Sequence, residues 1–391
     1  MQKIARWIEE KKIAQIIFWI AYSIELAIML IDKSALTNPW EGRLFQITFG
    51  LFVIKILLTK YEKREWVVIA LFAILGVVSY YYTDRNTILR IVAFVVAGKG
   101  VDIKKLIKYT FWVTLAAVIA LMLLSATGVL GWNYVESDFD GEGPQGVIRR
   151  YCFGLGHPNA LHGMFFSLIL LAIIGFYEKM NLIVIGALFI ANLGLYYFTK
   201  SKTGFLIVCV TLALLLIVRY IVPKCGKCRI ILAGSFVPVV SIVFSAIAVC
   251  FGPRWLHDTE AGIWEVIDRS LTGRLSTAKI LGGVDTWTLW SSVGNTEYFD
   301  MGYLRLLYWY GYVWAILTVL LMCVLLWFLQ KKKMYAEYIV VLAIAVYSVV
   351  EAHFVSAYIA RDYVLLIAMM VWPTMIGMIK KSKTDATRQE P

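Results

Sequence analysis

Charged residues are scarce in this chain. They make up 16% of it, against 60% hydrophobic residues and a mean hydropathy of +0.74. Soluble domains carry roughly 25% charge. A soluble globular fold is therefore excluded, and a polytopic membrane protein is implied. The six cysteines are scattered and supply no disulfide framework. Cys225 and Cys228 form a CxxC in the basic turn PKCGKCR. No second ligand pair or thioredoxin-like context accompanies them, so they read as incidental thiols. No phosphate-binding P-loop and no clustered Cys/His set for a metal is present. No cleavable leader is expected, since no small-residue cleavage site follows the first apolar run. No internal duplication of the kind many secondary transporters carry stands out.

What is present is a succession of apolar runs. A membrane span needs about 20 such residues. Candidate spans are 13–31, 44–59, 66–83, 87–98, 109–131, 158–177, 181–199, 203–222, 230–251, 301–329, 336–353 and 361–379. The fourth is short, and reads as tilted, broken or re-entrant. The net charge of +12 does not point to nucleic acid. Its Lys and Arg residues concentrate in short turns, such as Lys60–Glu65, Lys99–Lys108 and Lys331–Lys333, as the positive-inside rule produces. About twelve spans then put both termini in the cytoplasm. The two longest polar intervals, 132–157 and 252–300, fall outside.

The second of these intervals dominates the chain. It carries Arg254, His257, Asp258, Glu260, Glu265, Asp268, Arg269, Arg274, Lys279, Asp285, Glu297 and Asp300, with tryptophans from Trp255 to Trp290. A spacer would be richer in Pro, Ser and Gly. Other cations are expected at the same membrane face: Arg149 and Arg150, Lys200 and Lys202 against the topology bias, and Arg361. As a set they suggest an anionic ligand such as a phosphate, with snorkelling of single side chains as the alternative. Glu25, Lys55, Arg90, Arg305 and Glu351 lie in or near apolar runs and should face the bundle interior. Glu351 and His353 are expected to pair with each other or with outer cations. Proton or ion coupling is the transporter reading of the same residues.

Four stretches carry a family resemblance. They are Arg149-Arg150-Tyr-Cys-Phe-Gly-Leu-Gly-His157-Pro158-Asn159, Lys200-Ser-Lys202-Thr-Gly204, Leu271-Thr-Gly-Arg274-Leu, and Asp300-Met-Gly-Tyr303-Leu-Arg-Leu-Leu307-Tyr-Trp-Tyr-Gly311. In this order, on a polytopic chain with its major loop late, they resemble the O-antigen ligase/polymerase superfamily. The likeness is greatest to Wzy-type polymerases and covers roughly residues 80–330.

The resemblance implies an all-α, GT-C-like membrane glycosyltransferase in a bacterial cytoplasmic membrane. Its outer face would join oligosaccharide repeats carried on polyprenyl pyrophosphate, with the polyprenyl pyrophosphate as leaving group. Neither a nucleotide cofactor nor a metal is implied. A flippase and a chain-length regulator are candidate partners. Carried over residue by residue, Arg150 and Arg274 become the first candidates for pyrophosphate contacts. Lys202, Arg149 and Arg361 follow. His157 is either a ligand or a cap on the following span, where Pro158 suits a first turn. Ligases of the superfamily carry a histidine where the loop re-enters the membrane, and here that position is Asp300. Asp300 is thus the leading base candidate and Glu297 the second. The alternative for Asp300 is an N-cap of a span beginning at Met301. A ligase of the same superfamily and a lipid-linked oligosaccharide transporter are the rival readings.

Overall fold

The computed structural model describes residues 2–131, 133–138, 147–224, 233–255 and 259–386. Inside lipid, an apolar run satisfies its own backbone N–H and C=O groups only as a helix or a closed barrel. Helices make up 75% of the structure. In chain order they are α1 (Gln2–Asp32), α2 (Glu41–Leu57), α3 (Lys63–Thr83), α4 (Thr87–Ala97), α5 (Ile103–Ala126), α6 (Pro158–Phe176) and α7 (Leu182–Thr199). Then come α8 (Lys202–Leu216), α9 (Val237–Phe251), α10 (Ile263–Ser270), α11 (Arg274–Gly282), α12 (Gly302–Lys331), α13 (Tyr335–Tyr347) and α14 (Tyr363–Ala386).

Every apolar interval of the sequence contains one of these helices. Among the described residues, 7 helical stretches are long and apolar enough to cross a membrane, and α4, α9, α13 and the first part of α14 are shorter apolar helices. The architecture is that of a helical membrane protein. The CxxC of Cys225 and Cys228 lies outside the described residues, as do His257 and Asp258.

Polar residues set the helix ends. The Asp102 carboxylate accepts from the Lys105 amide at 3.1 Å, and the Asn181 side chain accepts from the Val184 amide at 2.9 Å. Both are N-caps. Nearly every residue of α13 is buried, which marks it as the central helix. The spans formed by α3 and α7 are only 17% buried and lie at the periphery.

Two features depart from the all-helical expectation. The 132–157 interval forms a hairpin in which β1 (Tyr134–Asp138) pairs antiparallel with β2 (Val147–Tyr151), Glu136 opposite Arg149. The span 336–353 ends as a helix at Tyr347, which leaves 348–362 as an irregular segment between α13 and α14.

The large polar interval is packed into the bundle. α12 breaks at Gly311, whose φ of 79° and ψ of −178° are not helical. Two amides freed by the break, Tyr312 and Val313, donate to the carbonyls of Thr288 and Leu289 at 3.0 and 3.2 Å. A Cβ at Gly311 would lie 2.6 Å from the Leu289 oxygen, so glycine is required there. Asn295 completes the seam by donating to the Tyr308 carbonyl at 2.8 Å.

The intramembrane charges find partners, as their burial requires. Arg90 binds both oxygens of Glu25 at 2.9 Å and donates to the Ala357 carbonyl at 2.9 Å. Thr48 donates to Glu25 at 2.5 Å. Lys55 donates to Thr59 and to the Lys99 carbonyl at 2.9 and 2.7 Å. Arg305 stacks 4.8 Å from the Trp309 ring and donates to the Phe299 carbonyl.

Candidate functional site

Side chains alternate along a strand. In β2 this sends Arg149 outward and Arg150 inward. Arg149 is exposed, pairs with Glu136 at 3.2 Å and lies 4.8 Å from the Tyr134 ring. Arg150 is buried and donates to the Thr199 carbonyl at 3.0 Å and to Asn159 at 2.9 Å. Thr199 and Asn192 in turn hold the fully buried ring of His162 at 3.0 and 2.8 Å. α8 passes so close to this ring that a Cβ at Gly204 would lie 2.7 Å from it. The first two sequence stretches therefore meet as one buried network.

The other two meet beside it. Thr272 and Gly273 adopt left-handed conformations in succession, with φ of 58° and 77°. This turn reverses the chain between α10 and α11. Asp268 accepts from the Leu275 and Ser276 amides at 2.7 and 3.2 Å and holds the start of α11. Arg274, the first residue of α11, thereby reaches the segment after α13. It donates to the Val350 carbonyl, to Glu351 at 2.5 Å, and pairs with Asp300 at 3.2 Å. Gly302 allows this approach, since a Cβ there would lie 3.0 Å from the Glu351 and Ser348 oxygens.

Asp300 does not act as an N-cap. α12 starts at Gly302 after Met301, with no side-chain capping bond. The Asp300 carboxylate turns to Arg274 instead. His157 does cap α6, its Nδ1 accepting from the Asn159 amide at 3.1 Å, with Pro158 in the first turn.

A cavity of ≈ 250 Å³ lies at this end of the bundle. Its polar walls are Lys33, His157, Asp300, Glu351, His353 and Arg361, contributed by the end of α1, the start of α6, the large loop and the segment before α14. Arg274 stands behind the two carboxylates, 8% exposed. The 348–362 segment is fastened from several sides. Arg90 binds its Ala357 carbonyl, and the Tyr358 hydroxyl donates to Glu41 at 3.2 Å.

Charges in this small volume perturb one another. Burial opposes the charge of Arg274, but the Glu351 and Asp300 carboxylates outweigh it and the net direction is upward. Burial pushes Glu351 up against the pull of Arg274, and the Asp300 charge adds to the rise. Burial and then the Arg361 charge push Lys33 down. Burial and then Arg150 hold the His157 ring below its ordinary range. The Nε of Arg361 has no hydrogen-bond partner among the described residues.

Of the residues singled out in the sequence, His157, Asp300 and Arg361 line the cavity, Arg274 backs it, and Arg150 braces its His157–Asn159 edge. Lys202 is exposed and Glu297 is exposed, with the Glu297 carbonyl accepting from the Trp309 indole at 3.0 Å. Neither lines the cavity, and Arg149 faces away on the hairpin. Lys33 was not among the candidates. The signal was available: it closely follows the first apolar run, in a turn expected on the same face as the other candidate cations. His162 gave no such signal, because one histidine inside an apolar run has no spacing to identify it.

No cluster of three or more His, Cys, Asp or Glu side chains among the described residues is placed to hold a metal ion. No protein-family model, curated protein or solved structure matches the chain.

Proposed function

We propose that this chain is a GT-C-like membrane glycosyltransferase that polymerises oligosaccharide repeats carried on polyprenyl pyrophosphate. It works at the outer face of a bacterial cytoplasmic membrane, with both termini in the cytoplasm. One observation carries the reading: Lys33 and Arg361 share a small cavity with the carboxylates of Asp300 and Glu351, at the ends of apolar helices. Cleaving a glycosyl–phosphate bond builds negative charge on the departing pyrophosphate. Fixed cations that exist before the reaction stabilise that charge without reorganising. A group on the opposite wall takes the proton of the attacking hydroxyl.

In this arrangement Arg361 contacts the pyrophosphate and Lys33, which pairs with the single carboxylate of Asp32 at 2.5 Å, adds a second cation, whereas Arg274 is engaged by two carboxylates. Arg274 keeps Asp300 and Glu351 in place. Arg150 and His157 shape the far edge. The intramembrane pair of Glu25 and Arg90 is bonded to its surroundings and suits a structural role better than ion coupling.

The test is polymerisation by the purified chain from a synthetic polyprenyl-pyrophosphate oligosaccharide, resolved as a ladder. Wild type should form the ladder, and Arg361→Ala should form much less of it at the same low donor concentration. Transport of that lipid across liposomes without any ladder would replace this reading with a transporter.

A further inference from the structure

We propose that His353 accepts the proton of the attacking sugar hydroxyl and is a further catalytic residue of this site. The inference rests on the glycosyltransferase reading. The other candidate bases near the cavity are already occupied or lie outside it. Asp300 and Glu351 are both engaged by Arg274. The Nδ1 of His157 is spent on capping α6. Glu297 lies outside the cavity.

His353 is different. It is 4% exposed and lines the cavity, and its Nε2 has no hydrogen-bond partner among the described residues. A hydrogen bond to the Arg361 backbone occupies the ring elsewhere. The ring packs edge-on to Phe166, centroids 5.9 Å apart, and lies 5.6 Å from the Tyr347 ring. Packing of this kind fixes the direction of a lone pair. A buried acceptor without a donor is uncommon, and asks for a ligand that supplies the hydrogen. A hydroxyl is such a ligand.

The step balances within the substrates and the ring. The hydroxyl oxygen forms a bond to the anomeric carbon while its proton passes to Nε2. The bond between the anomeric carbon and the phosphoryl oxygen breaks, and its electron pair leaves with the pyrophosphate. The imidazolium then returns the proton to solvent.

The groups around the ring make its basicity depend on the donor. Lys33 at the end of α1 and Arg361 in the same segment are cations, whereas Asp300 and Glu351 are tied to Arg274. His157 and Tyr347 complete the titratable wall. Burial and then the Arg361 and Lys33 charges push the ring's pKa well below its ordinary value. A bound pyrophosphate offsets those cations and makes the ring a stronger base when a base is needed.

The experiment compares His353→Ala and the bulkier His353→Gln with wild type, in the full chain. Turnover of the synthetic lipid-linked repeat and its binding are measured separately. Loss of a general base lowers turnover by about 10²–10⁴-fold. That loss is expected in both variants, with donor affinity near wild type. Added imidazole should restore part of the rate to His353→Ala, with a pH limb that follows imidazole. Wild-type turnover in either variant overturns the proposal. So does a loss explained by weaker donor binding, or the lack of an imidazole response in folded His353→Ala with donor bound. A wild type that makes no polymer overturns the functional reading as well.

Discussion

Arg274 and Glu351 meet at 2.5 Å across the junction between the large loop and the segment after α13. Removing one member of a buried ion pair costs about 3–5 kcal/mol, because the other is left charged and unpaired. Arg274→Ala should therefore lower thermal stability as well as activity. Adding Glu351→Gln should recover much of the stability and none of the activity. Full activity in the stabilised double variant would remove Arg274 from the site.

Lys33 and Arg361 are expected to act on donor binding. A hydrogen bond to a charged group contributes about 1.5–3 kcal/mol. Lys33→Ala or Arg361→Ala should then weaken donor affinity by roughly 10- to 150-fold. Titration of intrinsic tryptophan fluorescence with the lipid measures it. Unchanged affinity in both variants would move the pyrophosphate elsewhere.

Arg149 and Glu297 serve as contrasts. Arg149 and Glu136 form an exposed ion pair that water and salt screen. Arg149→Ala and Glu297→Ala should form near-normal ladders with near-normal melting temperatures. A dead Glu297→Ala would return it to the list of bases.

Gly204→Ala tests the buried network. Its methyl would press on the His162 ring. Overpacking of this kind costs about 1–3 kcal/mol. The expected result is a lower melting temperature, which His162→Ala in the same chain should partly relieve.

The acid limb of turnover should respond to Arg361. His353 works only when neutral, so rate is lost as pH falls through its folded pKa. Burial and then the Arg361 charge hold that pKa well below the ordinary value, near 6.5 for a free histidine. Arg361→Gln relieves part of the depression, so the limb should move up toward neutral pH. A pH profile of kcat/KM, which reports the free enzyme, shows the direction, and a limb that stays in place contradicts it.

Much of the helical frame was legible because lipid permits few backbone solutions. The positions of Arg274, Asp300 and Arg361 near one another were suggested only by their common face and the order of the motifs. Their partners were less legible. The opposite directions of Arg149 and Arg150 follow from a strand, and nothing in a short interval rich in glycine announced one. Lys33 and Glu351 lie more than 300 positions apart in the chain, and no local pattern could pair them. Glycines 204, 302 and 311 were visible in the motifs. Their reason, the near contact of another backbone or ring, exists only in three dimensions.

The cavity takes Lys33 from just after the first helix and Arg361 from just before the last. During synthesis the two emerge from the ribosome far apart in time. A chain stopped just before residue 361 would already hold most of its apolar helices, yet would lack one wall of the cavity. Under the proposed function, catalysis begins only after insertion is nearly finished, and half-made chains in the membrane leave lipid-linked sugar untouched.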